Sequence, residues 1–274
     1  MSTAPSTVAL LHCDGANAST TVTDSGVLLS NWTAAGNAQI STAQSKFGGS
    51  SLYFDGTGDY ITPTANSSNF AFGAGDFTIE MWVRPTTITG ADRFLYDGRP
   101  SATQGAYPTV YIDGGGYLKL YVSSATRITS AGTLSVNTWY HVAVCRSGTS
   151  TKIFVDGTQV GSTWTDTTVY LDAASRPIVG ESFDGHLDEI RISKGVARYT
   201  SGFTPPTAPH PDPPAIKLPT AVANTNRYTV KCVGPQTVLL SNGNGQLIDG
   251  AATVEVSNGN SNDFVSNNSN WVVV

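Results

Sequence analysis

Residues Asp76–Arg84 read DFTIEMWVR. Phe77, Ile79, Met81 and Val83 fall on one side of an extended chain, and Thr78, Glu80, Trp82 and Arg84 fall on the other. That two-residue period belongs to a strand with one core face. The same alternation recurs at Ser51–Asp55, Tyr117–Val122, Thr138–Cys145, Thr151–Val155 and Leu187–Ser193. Gly, Asp, Asn and Pro bound these runs, and Asp156-Gly157, directly after KIFV, has the chemistry of a two-residue hairpin turn. No segment carries a convincing helical period. Charged residues are only 13% of the chain while Gly (28) and Pro (14) are plentiful, so solvated helices have little to be built from. The pattern predicts an all-β protein in which two antiparallel sheets pack as a β-sandwich.

A boundary is written in proline. Thr204–Pro214 reads TPPTAPHPDPP and holds six of the 14 prolines, a composition that extends stiffly and continues neither a helix nor a ladder. The chain is therefore divided into a sandwich over residues 1–203, a Pro-rich linker over 204–214 and a small β-rich module over 215–274. In that last module, short strands are predicted at Tyr228–Val233, Thr237–Ser241, Thr253–Val256 and Asn270–Val274, with Asn/Gly turns between them. Its aromatics are Tyr228, Phe264 and Trp271, a thin core for a unit without a disulfide or metal framework. Self-association is the expected remedy, and a subunit contact would cover the apolar end Trp271–Val274.

Charge narrows the partners. A net charge of −5 and a pI near 5.2 give no electrostatic footprint for nucleic acid or anionic lipid, so neither nucleic acid nor membrane insertion is expected. The first residues lack the basic and apolar regions of a secretory signal, so a protein made in the cytoplasm without a leader is expected. Cys13, Cys145 and Cys232 are too few and too widely spaced for a disulfide framework or a metal knuckle and read as reduced, buried thiols.

Four ordered motifs carry a family resemblance: GGSSLYFDGTGDYI (Gly48–Ile61), GDFTIEMWVRP (Gly75–Pro85), NTWYHVAVCRSGTSTKIFVDGTQVGS (Asn137–Ser162) and FDGHLDEIRISKGVARYTSGFTPPTAP (Phe183–Pro209). Together they resemble a laminin-G-like, concanavalin A-like jelly-roll domain over most of residues 7–209. VALLHCDG (Val8–Gly15) and the ending ISKGVARYTSGFTPP resemble the version found in virion proteins of tailed bacteriophages, and the Asn/Gly-rich C-terminal module is similar to small domains that close phage tail fibres. The resemblance implies binding and assembly without turnover. It implies a virion surface protein that forms a homo-oligomer, by analogy a trimer, and contacts other virion proteins and a host-surface glycan or protein. A tail-fibre or receptor-binding protein is one form of this, and a capsid or tail decoration protein is the alternative.

Glycoside hydrolases of this fold need paired carboxylates on one strand face, and here Glu80 has Thr78 and Trp82 as its same-face neighbours. Glu80 is expected to pair with Arg84 or with a neighbouring strand, and no catalytic residue is assigned. His12, His141, His186 and His210 stand in no zinc-binding spacing, and no nucleophile elbow is present. His141 reads as a strand residue packing its ring. The alternation in LDEIRIS places Asp188 beside Ile190 and Ile192 on an inward face, where a carboxylate must be satisfied. One solution is a structural Ca²⁺ held by Asp188, Asp14 and the Gly48-Gly49 turn, a cofactor that some relatives carry where first and last strands meet. The other is hydrogen bonding of Asp188 to backbone N–H groups of a turn. For a sugar, Tyr107, Tyr111, Trp164 and Tyr170 are the candidate contacts, near Asp113, Asp166 and Asn137; each also suits a packing role.

Overall fold

The computed structural model describes residues 6–26, 31–64, 68–100, 104–172 and 177–212, together with the strand segments 215–218, 227–231, 238–242, 253–256, 261–266 and 271–273. The strands of the first part are β1 (Ser6–Leu11), β2 (Thr21–Val22), β3 (Trp32–Ala35), β4 (Gln39–Ser41), β5 (Ser51–Asp55), β6 (Tyr60–Pro63), β7 (Phe77–Pro85) and β8 (Arg93–Asp97). They continue with β9 (Thr109–Ile112), β10 (Tyr117–Val122), β11 (Ala125–Thr133), β12 (Tyr140–Ser147), β13 (Ser150–Val155), β14 (Thr158–Thr165) and β15 (Asp184–Lys194). Among the described residues the only helical element is a 3-10 turn at Ser68–Phe70, and no helix is long and apolar enough to cross a membrane.

Two antiparallel layers form the predicted jelly-roll sandwich. One runs β14-β13-β12-β7-β15-β5-β4, with β1 added alongside β15. The other combines β11-β10-β9-β8 with β2-β3-β6, which the bridges Asp97–Ile178 and Ile61–Val179 stitch together. Phe77, Ile79, Met81 and Val83 of β7 join Val110, Ile112, Leu118 and Leu120 in one buried apolar cluster. Burying each such side chain contributes about 1.5–3 kcal/mol, so the alternation read in DFTIEMWVR sets which face turns inward.

The alternation breaks in β15. Asp188 lies opposite Trp82 and Arg191 opposite Glu80, so three steps on β15 match two on β7. Glu189 takes the extra place as a β-bulge, with a φ of 49°. This corrects the expected inward Asp188. Because the bulge shifts the parity, Ile190 and Ile192 enter the core while Asp188 shares the outer side of the sheet with Trp82.

After β15 the chain crosses that outer side. The Arg198 amide donates to Thr78 Oγ1 at 2.9 Å, Lys152 Nζ to the Thr200 carbonyl at 2.6 Å, and the Phe203 amide to the Gly157 carbonyl at 3.0 Å. Tyr199 and Phe203 stack on each other with ring centroids 3.5 Å apart and pack on Ala143, Cys145 and Phe154. The described part of the Pro-rich segment is also fastened to the sandwich: the His210 amide donates to Glu189 Oε2 at 2.7 Å, and Asp212 pairs with His12. Residues 196–212 thus form a strap over the larger sheet.

The C-terminal strands are β16 (Ala215–Leu218), β17 (Arg227–Lys231), β18 (Val238–Asn242), β19 (Thr253–Val256), β20 (Ser261–Ser266) and β21 (Trp271–Val273). They form two sheets, β16-β18-β19, in which β16 and β18 are parallel, and β17-β20-β21. Four of the six match predicted strands; β16 and β20 were not anticipated. The turns expected at 243–245 and 258–259, and Cys232, lie outside the described residues.

The Asp156-Gly157 turn links hairpin and strap. Gly157 has a φ of 75°, and a Cβ built on it would stand 1.7 Å from the Phe203 carbonyl oxygen. Gly157→Ala is expected to destabilise the protein by about 2 kcal/mol or more, from left-handed strain plus displacement of the strap, measured as a lowered urea midpoint.

Candidate functional site

Glu80 sits on the outer side of β7, fully buried beneath the strap. Arg191 Nε donates to Oε1 at 2.7 Å and the Tyr199 hydroxyl to Oε2 at 2.8 Å. His141 Nε2 is 3.2 Å from Oε2, while Arg198 Nε and His210 Nε2 each stand 3.8 Å from the carboxylate. The expected neighbouring-strand partner is therefore Arg191 of β15. Burial is the largest influence on the Glu80 carboxyl and raises its pKa, but His141, Arg191 and His210 together hold it below the usual carboxylate range. Burial pushes His210 down to about 3. His141 packs against Trp82, Tyr199 and Phe203, as a ring-packing strand residue.

Donor atoms of Glu80, His141 and His210 lie within 4.8 Å of one another, close enough to surround a cation. The charges oppose one, because a single carboxylate already faces two guanidiniums in a buried setting. A general acid would need a raised pKa and a path to substrate, and Glu80 has a lowered pKa under a covering segment. The arrangement works as a clamp for the strap. His12 extends it: its ring bridges Glu189 Oε1 at 2.8 Å and Asp212 Oδ1 at 3.0 Å. The Glu189 bond is the largest cause, set against burial and aided by Asp212, of a His12 pKa raised to about 9.

The residues proposed for calcium are arranged differently. Asp188 Oδ2 accepts the amides of Lys46 at 2.7 Å and Phe47 at 3.2 Å, and Oδ1 accepts the Glu189 amide at 2.8 Å. This is the backbone-donor alternative, with burial still pushing the Asp188 pKa up to about 7. Asp14 is exposed and lies against the Cα of Gly48, where a Cβ would meet its carboxylate at 1.9 Å; Gly49 has open space beside it. A carboxylate ringed by N–H dipoles does not fit the oxygen-rich shell that Ca²⁺ requires.

The four candidate aromatics are not brought together. Tyr170 is a core residue, wedged against Phe72 and Phe77 with its hydroxyl on Asp166 Oδ2 at 2.8 Å. The sequence places it near a loop, whereas its ring fills the sandwich interior. Trp164 on β14 is half-buried against the core, with Arg127 5.1 Å from its ring. Tyr107 is buried and lines a recess of about water size with Phe70, Tyr96, Pro108, Leu171 and Pro177.

Tyr111, itself buried, lies beside a group of partly exposed side chains. On the outer side of β8-β9-β10, Phe94 stands beside it at 5.6 Å, Lys119 is its neighbour on β10, and Tyr121 lies one row further along. The Arg99 guanidinium covers Phe94 and Tyr121 at 5.3 and 5.6 Å while its own fork grips Asp97 in two 2.9 Å bonds. Lys119 pairs with Asp113 at 2.5 Å, and the Tyr121 hydroxyl bonds Gln104. Aromatic faces with fixed polar groups beside them can bind a sugar ring: its C–H face packs on the aromatics and its hydroxyls bond the amides and charges. Sequence reasoning missed Phe94, Arg99 and Tyr121, although YLKLYV already placed Tyr117, Lys119 and Tyr121 on its non-core face.

A laminin-G-type family model, described as the concanavalin A-like lectin/glucanases superfamily, matches residues 55–198, more than half of the chain. The protein belongs to that superfamily and has its lectin-like fold. A search of curated proteins gave no match. Among solved structures, domain 4 of AbnA, a GH43 extracellular arabinanase from Geobacillus stearothermophilus in complex with arabinotriose, is similar at a TM-score of 0.54 and 16% identity over 71% of this chain and 95% of that one. The binding domain of Paraclostridial Mosquitocidal Protein 1 is similar at 0.55 and 17% identity, over 71% of this chain and 50% of that one. A mutant Trypanosoma rangeli sialidase displaying trans-sialidase activity is similar at 0.51 and 12% identity; 71% of this chain is covered but only 31% of the sialidase. At these identities the likeness is one of fold.

Two outcomes test the clamp. Glu80→Ala leaves the buried Arg191 guanidinium, and the partly exposed Arg198 beside it, facing no carboxylate and is expected to cost about 3–5 kcal/mol in urea unfolding, with Glu80→Gln milder. His12 has a folded pKa above its ordinary 6.5, so its contribution is fully present below about pH 6.5 and is lost as pH rises through about 9. The stability difference between the protein and His12→Gln, measured across that range, is expected to be largest at the acid end and to vanish above it.

Proposed function

We propose that the protein is a non-enzymatic glycan-binding module of a tailed-phage virion, acting as a tail-fibre or receptor-binding protein on host-surface glycan. The observation that carries the binding reading is the outer side of β8-β9-β10, where the half-buried Phe94 and Tyr121, with the buried Tyr111 beside Phe94, lie together with Arg99 and Lys119. The arabinotriose bound by the AbnA domain makes saccharides the first ligand class to try. Against turnover stands Glu80, the carboxylate nearest to a hydrolase motif, whose oxygens are engaged under the strap. The virion setting rests on the sequence resemblance of VALLHCDG and ISKGVARYTSGFTPP. Trimerisation is proposed through the C-terminal strands: β21 pairs on one side with β20 and ends its sheet among the described residues, leaving an edge that a second copy would cover.

Binding to an array of bacterial surface glycans is the direct test. A specific signal is expected, weakened about tenfold or more by Tyr121→Ala, a half-buried surface residue whose loss leaves the core intact. The bound glycan is expected to emerge from prolonged incubation at its original length; shortened products that disappear in Glu80→Gln would establish the hydrolase instead. Absence of glycan binding together with saturable binding to empty capsids would establish the decoration protein.

A further inference from the structure

The cover on the outer side of the larger sheet thins toward the end of β7. Glu80 and Trp82 are buried, but Arg84, the next residue on that side, is partly exposed. His186 is its partner on β15 and Tyr53 on β5 is the partner of His186, the last two rings standing 5.1 Å apart. On the other flank the Asn137 amide donates to the Pro85 carbonyl at 2.7 Å and Tyr140 pairs with Val83, which brings residue 139 alongside Arg84. Tyr140 packs on the core, so alternation turns Trp139 to the outer side, where it is partly exposed. Tyr53, His186, Arg84 and Trp139 thus form one row across four strands, about 14 Å long at the spacing of neighbouring strands.

Two cations on this face have unfilled donors. Among residues 6–212, every other described lysine and arginine side chain donates to a carbonyl, hydroxyl or carboxylate; Arg127 reaches the Val122 carbonyl, Lys194 the Ser68 carbonyl and Arg99 the Asp97 carboxylate. Arg84 and Lys46 donate to no described residue and stand in no ion pair among them. Lys46 Nζ instead rests 3.8 Å from the centre of the Trp82 ring, where cation–π attraction holds the ammonium and leaves its three donors open. Trp82 and Arg84 are two residues apart on one strand face, about 7 Å, so the two charges share one patch. The buried Trp82 indole N–H has no hydrogen-bond partner either.

The carboxylates nearby are engaged. Asp188 accepts three backbone amides, and Asp184 Oδ2 accepts the Thr87 hydroxyl at 2.6 Å. His186 adds no charge at neutral pH, because burial, followed by the charge of Arg84, pushes its pKa down to about 4. In a chain of net charge −5, neighbouring cations that no anion answers are an exception. Their mutual repulsion is relieved by an anion placed between them.

We propose that this patch binds an acidic saccharide, its carboxylate or phosphate taken between Lys46 and Arg84 and the C–H face of its ring packed on Trp139. A guanidinium fork and an ammonium fill the oxygens of either anion, and an indole is the ring a sugar face packs on. The sugar lies toward Trp139 because Tyr53, at the other end of the row, is flanked by the negative charges of Asp184, Asp55 and Asp59. The site is on the opposite layer from Phe94 and Tyr121, so it is a second site and does not depend on the first.

The test is calorimetric titration of the full chain with trigalacturonate and its fully methyl-esterified form, with mannose 6-phosphate and mannose, and with inorganic phosphate. The carboxylate or the phosphate saccharide is expected to bind about tenfold or more tighter than its uncharged counterpart and than inorganic phosphate, and to weaken as salt is raised. Arg84→Gln, Lys46→Met and Trp139→Ala are each expected to weaken that binding about tenfold, the first two at an unchanged urea midpoint, while Tyr121→Ala leaves it as it was. Equal affinity for the uncharged counterpart, undiminished binding in Arg84→Gln and Lys46→Met, or inorganic phosphate binding as tightly as the saccharide, which would mean an adventitious ion only, would overturn the proposal, as would silence from both acidic saccharides. The array result with Tyr121→Ala reports on the other face, so either site can fail alone.

Discussion

Everything about this sandwich depends on a carboxylate that has no access to water. Glu80 lies on the non-core side of the central strand β7, where an ordinary sandwich would expose it, and instead it is fully buried. A buried charge of this kind needs a partner and filled hydrogen-bonding positions, and Arg191 and the Tyr199 hydroxyl provide both. Arg191 comes from the adjacent strand, but Tyr199 comes from the segment that follows the sheet. The charge therefore ties the strap down, and the strap keeps the charge dry. The central strands β7, β12 and β15, which would otherwise have one wet face, are covered on both.

That covering distributes the remaining surface. The strap occupies the outer side of β7, β12 and β15, and Lys46 and Phe47 close over Trp82 nearby, with the Lys46 ammonium 3.8 Å from the indole centre. The outer side of the other layer keeps partly exposed aromatic rings and paired charges. The polar groups that chemistry would recruit, Glu80, His141 and His210, are the ones the fold has enclosed for its own stability.

The fold was legible because its signal is local. An unbroken two-residue period fixes which side chains meet, so DFTIEMWVR, SLYFD and YLKLYV could each be assigned a core face from neighbouring letters alone, and the Asp156-Gly157 turn carried its own backbone preference. The site was poorly legible because its members are brought together by register. Phe94 meets Tyr111 across a strand pair, and Arg99 reaches Tyr121 from a turn more than twenty residues away; no spacing in the sequence encodes either contact. Tyr170 shows the reverse error. Its flanks Val169 and Leu171 are exposed and loop-like, yet the ring itself turns into the core, where Phe72 and Phe77 receive it. The course of the proline-rich segment was illegible for a third reason: composition gives its stiffness, but whether a stiff segment spans a gap or lies on a surface depends on what its few other residues can reach. Here they are His210 and Asp212, and both find partners.

Those partners explain why the one irregular residue of β15 is a glutamate. A non-glycine residue in the left-handed region costs roughly 1–2 kcal/mol, and glycine would relieve that strain at Glu189. Glycine would also remove both carboxylate oxygens, of which Oε1 meets His12 and Oε2 receives the His210 amide. The bulge turns Asp188 out to collect the amides of Lys46 and Phe47, and it sets Glu189 where β1 and the strap converge. Local strain is thus offset by contacts far away in sequence, and a reading confined to the alternation of LDEIRIS could see neither the shift in parity nor the reason for it.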